Sequence, residues 1–173
     1  MKMNVLHTSK KEGIFRVENG ETYYGKTLHA FIHNLHYFIA DIKVYSDGMI
    51  DCWGLIDVDG FKKKINEGWV VTKLPKDAEV SFYFLGSTQI NSQLVNIEED
   101  QFVREVEDII KELNGQDTSS AVCQKTYYMY LEDPCEENKQ TLKISYENVP
   151  AHNRVYILGD QDNKDNAIRK IIY

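Results

Sequence analysis

Apolar and polar residues alternate along much of the first half of the chain, with the period of two that a half-buried β-strand requires. Residues 37–45 show the alternation most clearly. One face of this segment carries Phe38, Ala40, Ile42 and Val44. The turn sequences "HNL" and "SDG" flank the segment, so we predict a β-meander over residues 28–56.

The turn after this segment decides where Asp51 lies. A two-residue loop would place Asp51 opposite Val44 on the apolar face, where an unpaired carboxylate is costly. A three-residue loop, with its glycine in the left-handed conformation, places Asp51 opposite Lys43 instead. We therefore predict that Asp51 is a structural cross-strand partner of Lys43, and that the same register continues to set Trp53 opposite Asp41.

A short helix is predicted next, because Asp57 can cap it, Phe61 and Ile65 share a face, and Gly68 can end it. The sequences "WVVTKL" and "EVSFYFLG" then predict two further strands around Pro75.

Three- and four-residue spacing of apolar residues replaces the alternation in the second half. It predicts an amphipathic helix that ends before Gly115. The sequence "DPCEEN" predicts a second helix start, with Asp133 as the cap and Pro134 in the first helical position. Pro150 would end this second helix, and the tail would form one or two short helices around Gly159, or a strand in "RVYIL". Strands followed by helices predict a single α+β domain over residues 1–173, with the helices packed on one face of the sheet.

Charge and composition restrict the partners. The chain has 173 residues with 27 acidic against 20 basic side chains, a net charge of −7, which repels nucleic acids and anionic membranes. We find no signal peptide and no apolar run long enough for a membrane span, so we expect a cytoplasmic protein. The three cysteines form no C-x-x-C pair, and we expect reduced thiols and no cofactor.

Four segments resemble those of an uncharacterised family of small bacterial proteins. They are "IHNLHYF", "DGMIDCWGLID", "GWVVT" and "LGDQDNKDNAIRKIIY". The resemblance implies a bacterial cytoplasmic setting and supplies no mechanism.

A second resemblance concerns two aspartate motifs. "LIDVDGF" resembles the first motif of haloacid-dehalogenase-like phosphatases, and "ILGDQDNKD" resembles their metal motif. The resemblance implies Asp57 as nucleophile, Asp59 as general acid and base, and Asp160 with Asp165 as ligands of Mg²⁺. The chain departs from that family because no Thr or Val follows Asp59-Gly60 and no βαβ alternation is visible. In the other interpretation Asp57 caps a helix and the tail aspartates are solvated turn residues.

Histidines spaced H-x3-H-x2-H could bind zinc on a helix, but on a strand His29 and His33 would lie roughly 13 Å apart, too far to share one ion. We therefore predict no metal site there.

Acidic residues are concentrated on the predicted amphipathic helix. Between Glu98 and Glu112 it carries seven acids against two basic residues, a net charge of −5. One interpretation is a merely solvated face; the functional one is a docking surface for a basic protein, with Glu105, Asp108 and Glu112 in contact with the partner. In that interpretation these carboxylates face solvent, and reversing Glu105 and Asp108 to Lys leaves the fold nearly untouched.

We therefore expect a protein-binding module rather than an enzyme, by analogy with acidic proteins that neutralise nucleic-acid-attacking toxins. The alternative is a Mg²⁺-dependent phosphatase.

Overall fold

The structure, a computed structural model, describes residues 13–95, 97–159 and 165–173. It has the α+β architecture that the sequence predicts, with strands first and helices after them. The strands are β1 (Ile14–Glu18), β2 (Glu21–Asn34), β3 (His36–Tyr45), β4 (Ile50–Asp51), β5 (Leu55–Ile56), β6 (Val70–Val71), β7 (Lys73–Leu74), β8 (Glu79–Phe82), β9 (Gly86–Gln89) and β10 (Leu94–Val95). The helices are α1 (Val58–Asn66), α2 (Glu99–Leu113), α3 (Ser119–Glu132), α4 (Glu136–Asn148) and α5 (Asn166–Ile172), with a 3-10 helix at Ala151–Tyr156.

The main sheet follows the predicted meander. Strands β1 to β5 lie side by side in chain order and pair antiparallel. Strand β6 pairs with the far end of β2, and β8 pairs parallel to the start of β3 and carries β9 on its other edge. The sheet is therefore mixed, and β3 is shared by β2 on one edge and by both β4 and β8 on the other.

The register around Asp51 confirms the predicted hairpin. Lys43 pairs with Asp51, the Tyr45 amide donates to the Met49 carbonyl at 2.9 Å, and Gly48 is left-handed with φ of 84°. The prediction that this register continues beyond Asp51 is wrong.

The chain reverses at Trp53 and Gly54 instead, because both have positive φ and the Asp51 carboxylate accepts a hydrogen bond from the Gly54 amide at 3.2 Å. Strand β5 consequently folds back on β4, and Trp53 does not pair with Asp41.

Helices α1 and α2 cover one face of the sheet. The apolar residues of β3 meet Phe61 of α1 and Phe102 of α2 in a core that excludes water. As predicted, Asp57 caps α1, and Gly68 follows its end with φ of 70°. This core draws only on residues before 117.

The last helices form a second core of their own around Cys123, Leu142, Tyr146 and Ile168. Helix α3 was not predicted, because its polar and apolar residues are less clearly separated than those of α2. The predicted helix cap at Asp133 is also wrong. Asp133 ends α3, and α4 begins three residues later, at Glu136, with Cys135 at its N-cap.

Candidate binding site at the edge of the sheet

The aspartates of the phosphatase motifs have structural partners. An oxygen of Asp57 accepts the Gly60 amide at 2.7 Å at the start of α1, and Asp59 is exposed in the first turn of that helix. Asp165 is buried against α4 and accepts a hydrogen bond from the Tyr146 hydroxyl at 2.8 Å. Burial together with this hydrogen bond raises the pKa of Tyr146 to about 12.

Asp160 lies outside the described residues. Within the part of the chain that the structure describes, no three His, Cys, Asp or Glu side chains are grouped so that they could hold a metal ion.

Two of the three acids expected to face a partner are only partly exposed and bind other residues of this chain. Asp108 has a side chain only 14% exposed, and it accepts hydrogen bonds from the Ser119 amide, at 2.9 Å, and from the Ser119 hydroxyl. Glu105 is 21% exposed and lies 2.9 Å from His152. The expectation that these two carboxylates face solvent is therefore wrong, whereas Glu112 is 53% exposed beside Lys26 at 2.6 Å.

Other acids in α2 or at its N-cap also contact basic residues of the chain before residue 118, which contains the main sheet and which we call the sheet part. Lys73 bonds to both Glu98 and Glu99 at the start of the helix, and Glu107 bonds to Lys62 at 2.7 Å. These hydrogen bonds raise the pKa of both lysines. Much of the helix's negative charge is thus matched locally.

A different surface lies along the edge of β3 that pairs with β4 and β8, where a cavity of about 660 Å³ opens. We call it the edge cavity. Its lining is mainly apolar, with three charged side chains and two hydroxyl groups. It consists of Phe38, Ile39, Ala40, Asp41, Lys43, Asp51, Trp53, Ser81, Phe82, Tyr83 and Leu85.

A gap in strand pairing creates this cavity. On its outer edge β3 pairs with β8 at residues 37–38 and with β4 at residues 43–44, and among the described residues no strand covers 39–42. Residues that point to opposite faces of β3, such as Ala40 and Asp41, both line the cavity. The cavity therefore lies at the strand's edge rather than above one face of the sheet.

Large apolar residues surround the gap and remain exposed. Residues 82–85 form a turn, which we call the aromatic loop, and the Leu85 amide donates to the Phe82 carbonyl at 2.9 Å. Tyr83 is 74% exposed and Phe84 is 94% exposed. On the other side Trp53 is half exposed, with its ring 5.3 Å from that of Phe38 and 6.4 Å from that of Trp69.

Both sides of the gap carry backbone strain. Trp53 has φ of 65° and Phe84 has φ of 59°, a region that bulky side chains enter at a cost of roughly 1–2 kcal/mol per residue. Such outliers concentrate where a protein binds or reacts. The chain has these aromatic residues in turns where Gly or Asn would be easier to accommodate.

The charges of the edge cavity are unequal. Lys43 and Asp51 form a loose pair at 3.6 Å, while Asp41 is 62% exposed and has His29 as its neighbour at 3.1 Å. The lining therefore carries two carboxylates against one ammonium. Asp51 is therefore a structural partner of Lys43, as predicted, and also part of the cavity wall.

The aromatic loop was missed because "EVSFYFLG" was interpreted as a strand. Four consecutive large apolar residues cannot alternate between two faces, and this signal could have identified a separate surface feature. The gap beside β3 had no signal, since it depends on where β4 and β8 stop.

Comparisons with known proteins identify families without an assigned role. A family model described as "Domain of unknown function (DUF7638)" matches residues 14–117, and one described as "Domain of unknown function (DUF7639)" matches residues 118–173. No curated protein and no solved structure matches the chain.

Proposed function

The chain belongs to the family described as "Domain of unknown function (DUF7638)", which assigns no function, and we therefore argue from the surface of the protein itself. We propose that the protein is a non-enzymatic protein-binding module. The edge cavity and the aromatic loop form its binding surface, and the partner supplies a segment with apolar and basic side chains. The exposure of strained aromatic residues around the gap in the sheet is the observation that carries this proposal.

Burial of these side chains supplies the binding energy. Tyr83, Leu85 and Ile39 leave more than half of their surface in water in the free protein. Each large apolar side chain contributes about 1.5–3 kcal/mol when it is fully buried, and aromatic anchors dominate many protein interfaces. The aromatic loop and Trp53, on opposite sides of the cavity, can therefore contact a partner from two sides.

Charge supports a basic partner. The whole chain carries a net charge of −7, and one of its exposed carboxylates, that of Asp41, lines the edge cavity. Complementary charge raises association rates and disfavours acidic competitors such as nucleic acids. No Lys or Arg lies in the aromatic loop, so it lacks the basic residues that attract anionic lipid surfaces.

A bacterial cytoplasmic setting is part of the proposal. Cys52 and Cys123 are buried free thiols and Cys135 is a partly exposed one, which suits a reducing compartment. None of the described helices is long and apolar enough to cross a membrane. Neutralisation of a basic toxin remains one role such a module could serve.

The test is selection of binding peptides. The full-length protein is immobilised and used to enrich a phage-displayed library of random peptides. We expect enriched peptides to combine apolar residues with Lys or Arg, and we expect Tyr83→Ser to weaken their binding by about tenfold or more. Tyr156→Ser is the matched control, because Tyr156 is 63% exposed but lies in the 3-10 helix after α4 and does not line the edge cavity.

Two results would contradict the proposal. One is a selection that enriches no peptide, or peptides whose binding is equally insensitive to both substitutions. The other is co-sedimentation of the protein with phosphatidylcholine vesicles that Phe84→Ser abolishes, which would assign the aromatic loop to lipid.

A further inference from the structure

Main-chain groups of β3 point into the edge cavity. The Tyr45 amide donates to the Met49 carbonyl, so Tyr45 faces the edge that carries β4. Because alternate residues of a strand direct their amide and carbonyl groups to the same edge, Lys43 and Asp41 face it too. Lys43 pairs with Asp51, whereas Asp41 lies in the stretch between β8 and β4 that no described strand covers.

We infer that this gap receives one extended segment of the partner protein, which joins the main sheet as a strand between β4 and β8. The inference rests on the proposed function and specifies how the same surface binds. The gap spans residues 39–42, roughly 13 Å at about 3.3 Å per residue. A segment of this kind gives the Asp41 amide and carbonyl a partner, which is how exposed sheet edges recruit peptides.

The two faces of the gap select different side chains. Asp41 lies on the outer face of the sheet with its carboxylate exposed, so it favours Lys or Arg on that face of the incoming strand. Phe38 and Trp53 lie in contact on the other face, and they favour apolar residues. The segment therefore alternates basic and apolar residues, and a segment rich in Asp or Glu is excluded by charge.

N-methylated peptides test the main-chain contact directly. The probe is the peptide that the wild-type protein enriches most strongly, made in two further forms with N-methyl groups on alternate residues. In an antiparallel alignment the amides that bond to Asp41 belong to the residues on its own face, and in a parallel alignment they belong to the other set. We expect one methylated form to bind about tenfold more weakly or worse, and the other to bind nearly as well as the parent.

Hydrogen exchange of the full chain provides the second measurement. We expect the Asp41 amide to exchange faster than the paired Lys43 amide in the free protein, and to become protected when the parent peptide binds. Asp41→Ala keeps the main-chain contact. It should therefore retain this protection and the methylation effect, while the preference for Lys or Arg opposite this position declines.

The outcomes separate the two proposals. A selection that enriches no peptide overturns both. Binding that needs Tyr83 but is equally insensitive to both methylation patterns overturns strand addition and leaves the proposed function standing. Self-association of the wild-type chain that Tyr83→Ser abolishes would assign the gap to a second copy of this chain and overturn the inference.

Discussion

Phe84 is expected to lower the stability of the free protein while it contributes to peptide binding. It has φ of 59°, is 94% exposed, and its ring contacts only the neighbouring Tyr83 among the described aromatic rings. We expect Phe84→Asn to leave the free energy of unfolding unchanged or raise it by up to about 1 kcal/mol, because Asn tolerates the left-handed region. The same substitution should weaken peptide binding.

Urea unfolding measures the first effect. Phe82→Asn is the control from the same loop, because Phe82 belongs to β8 and is less exposed. We expect this variant to lose stability. A loss at Phe84 as large as the loss at Phe82 would show that the turn does not strain the phenylalanine.

Asp57 gives a residue-scale test of the two interpretations of its motif. As the cap of α1 it binds the Gly60 amide, so Asp57→Ala should lower the free energy of unfolding by about 0.5–2 kcal/mol. Asp57→Asn should retain most of that stability, since Asn is an equally good cap. Asp59→Ala, in the first turn of the same helix, should change the free energy of unfolding less.

Urea denaturation of the three variants measures these differences. Hydrolysis of a generic phosphate ester with Mg²⁺ that Asp57→Asn abolishes would favour the phosphatase alternative instead.

Tyr146 links stability to pH. Its pKa rises from the ordinary 10.0 to about 12 on folding, so the folded state holds this proton more tightly than the unfolded chain does. The contribution is complete below pH 10 and is lost as the pH rises from about 10 to about 12. We expect the stability of the wild type to fall more steeply over this range than that of Tyr146→Phe.

At neutral pH Tyr146→Phe should itself cost about 1–3 kcal/mol, because it removes the hydrogen bond to buried Asp165. Chemical denaturation at a series of pH values checks both effects, with Tyr173→Phe as the exposed control. Parallel stability curves for wild type and Tyr146→Phe above pH 10 would contradict the linkage.

At the scale of the element, the sequence predicted most where local rules act alone. The hairpin register at Lys43 and Asp51 follows from turn chemistry and from the cost of an unpaired carboxylate, both of which are local. The reversal at Trp53 was missed because a bulky residue is an unusual choice for a left-handed turn. Trp53 lines the edge cavity because of this reversal. The alternation of apolar and polar residues that predicts the strands therefore could not predict the candidate site.

Helix α2 shows the same limit for charge. Its periodicity predicted its position and end correctly, and its acids were counted correctly. The count could not tell which carboxylates meet Lys73, Lys62 or His152, since those contacts join residues far apart in sequence. Charge patterns therefore indicate where acidic residues lie on a helix, but not what they face.

At the scale of the whole molecule, the core beneath α1 and α2 and the core of the last helices share no residue. One is built from residues before 117 and the other from residues after it, and the two family models meet at the same place. Polar contacts of α2 help to join them. They run from Gln101 to the Ala151 amide, from Arg104 to the Glu147 carbonyl, from Glu105 to His152, and from Asp108 to Ser119.

These contacts bear on whether the chain is one cooperative domain, as the sequence analysis expects. The C-terminal part from residue 118 onward is small, and domains of about 60 residues are only marginally stable by themselves. We therefore expect the wild type to unfold in one transition, because the polar contacts with α2 stabilise the C-terminal part. Removing Glu105 and Asp108 together should uncouple the two parts.

The two tryptophans make this uncoupling measurable, because Trp53 and Trp69 both lie in the sheet part. Their fluorescence follows the sheet part during urea unfolding, while far-ultraviolet circular dichroism follows all the helices, of which α3, α4 and α5 belong to the C-terminal part. We expect the two curves to coincide for the wild type and for Glu107→Ala, whose carboxylate contacts Lys62 within the sheet part. In the double variant Glu105→Ala and Asp108→Ala, the part of the dichroism that comes from the C-terminal helices should be lost before the fluorescence signal changes.

Curves that separate already in the wild type would mean two independent domains. Curves that still coincide in the double variant would mean that contacts other than these carboxylates hold the two cores together.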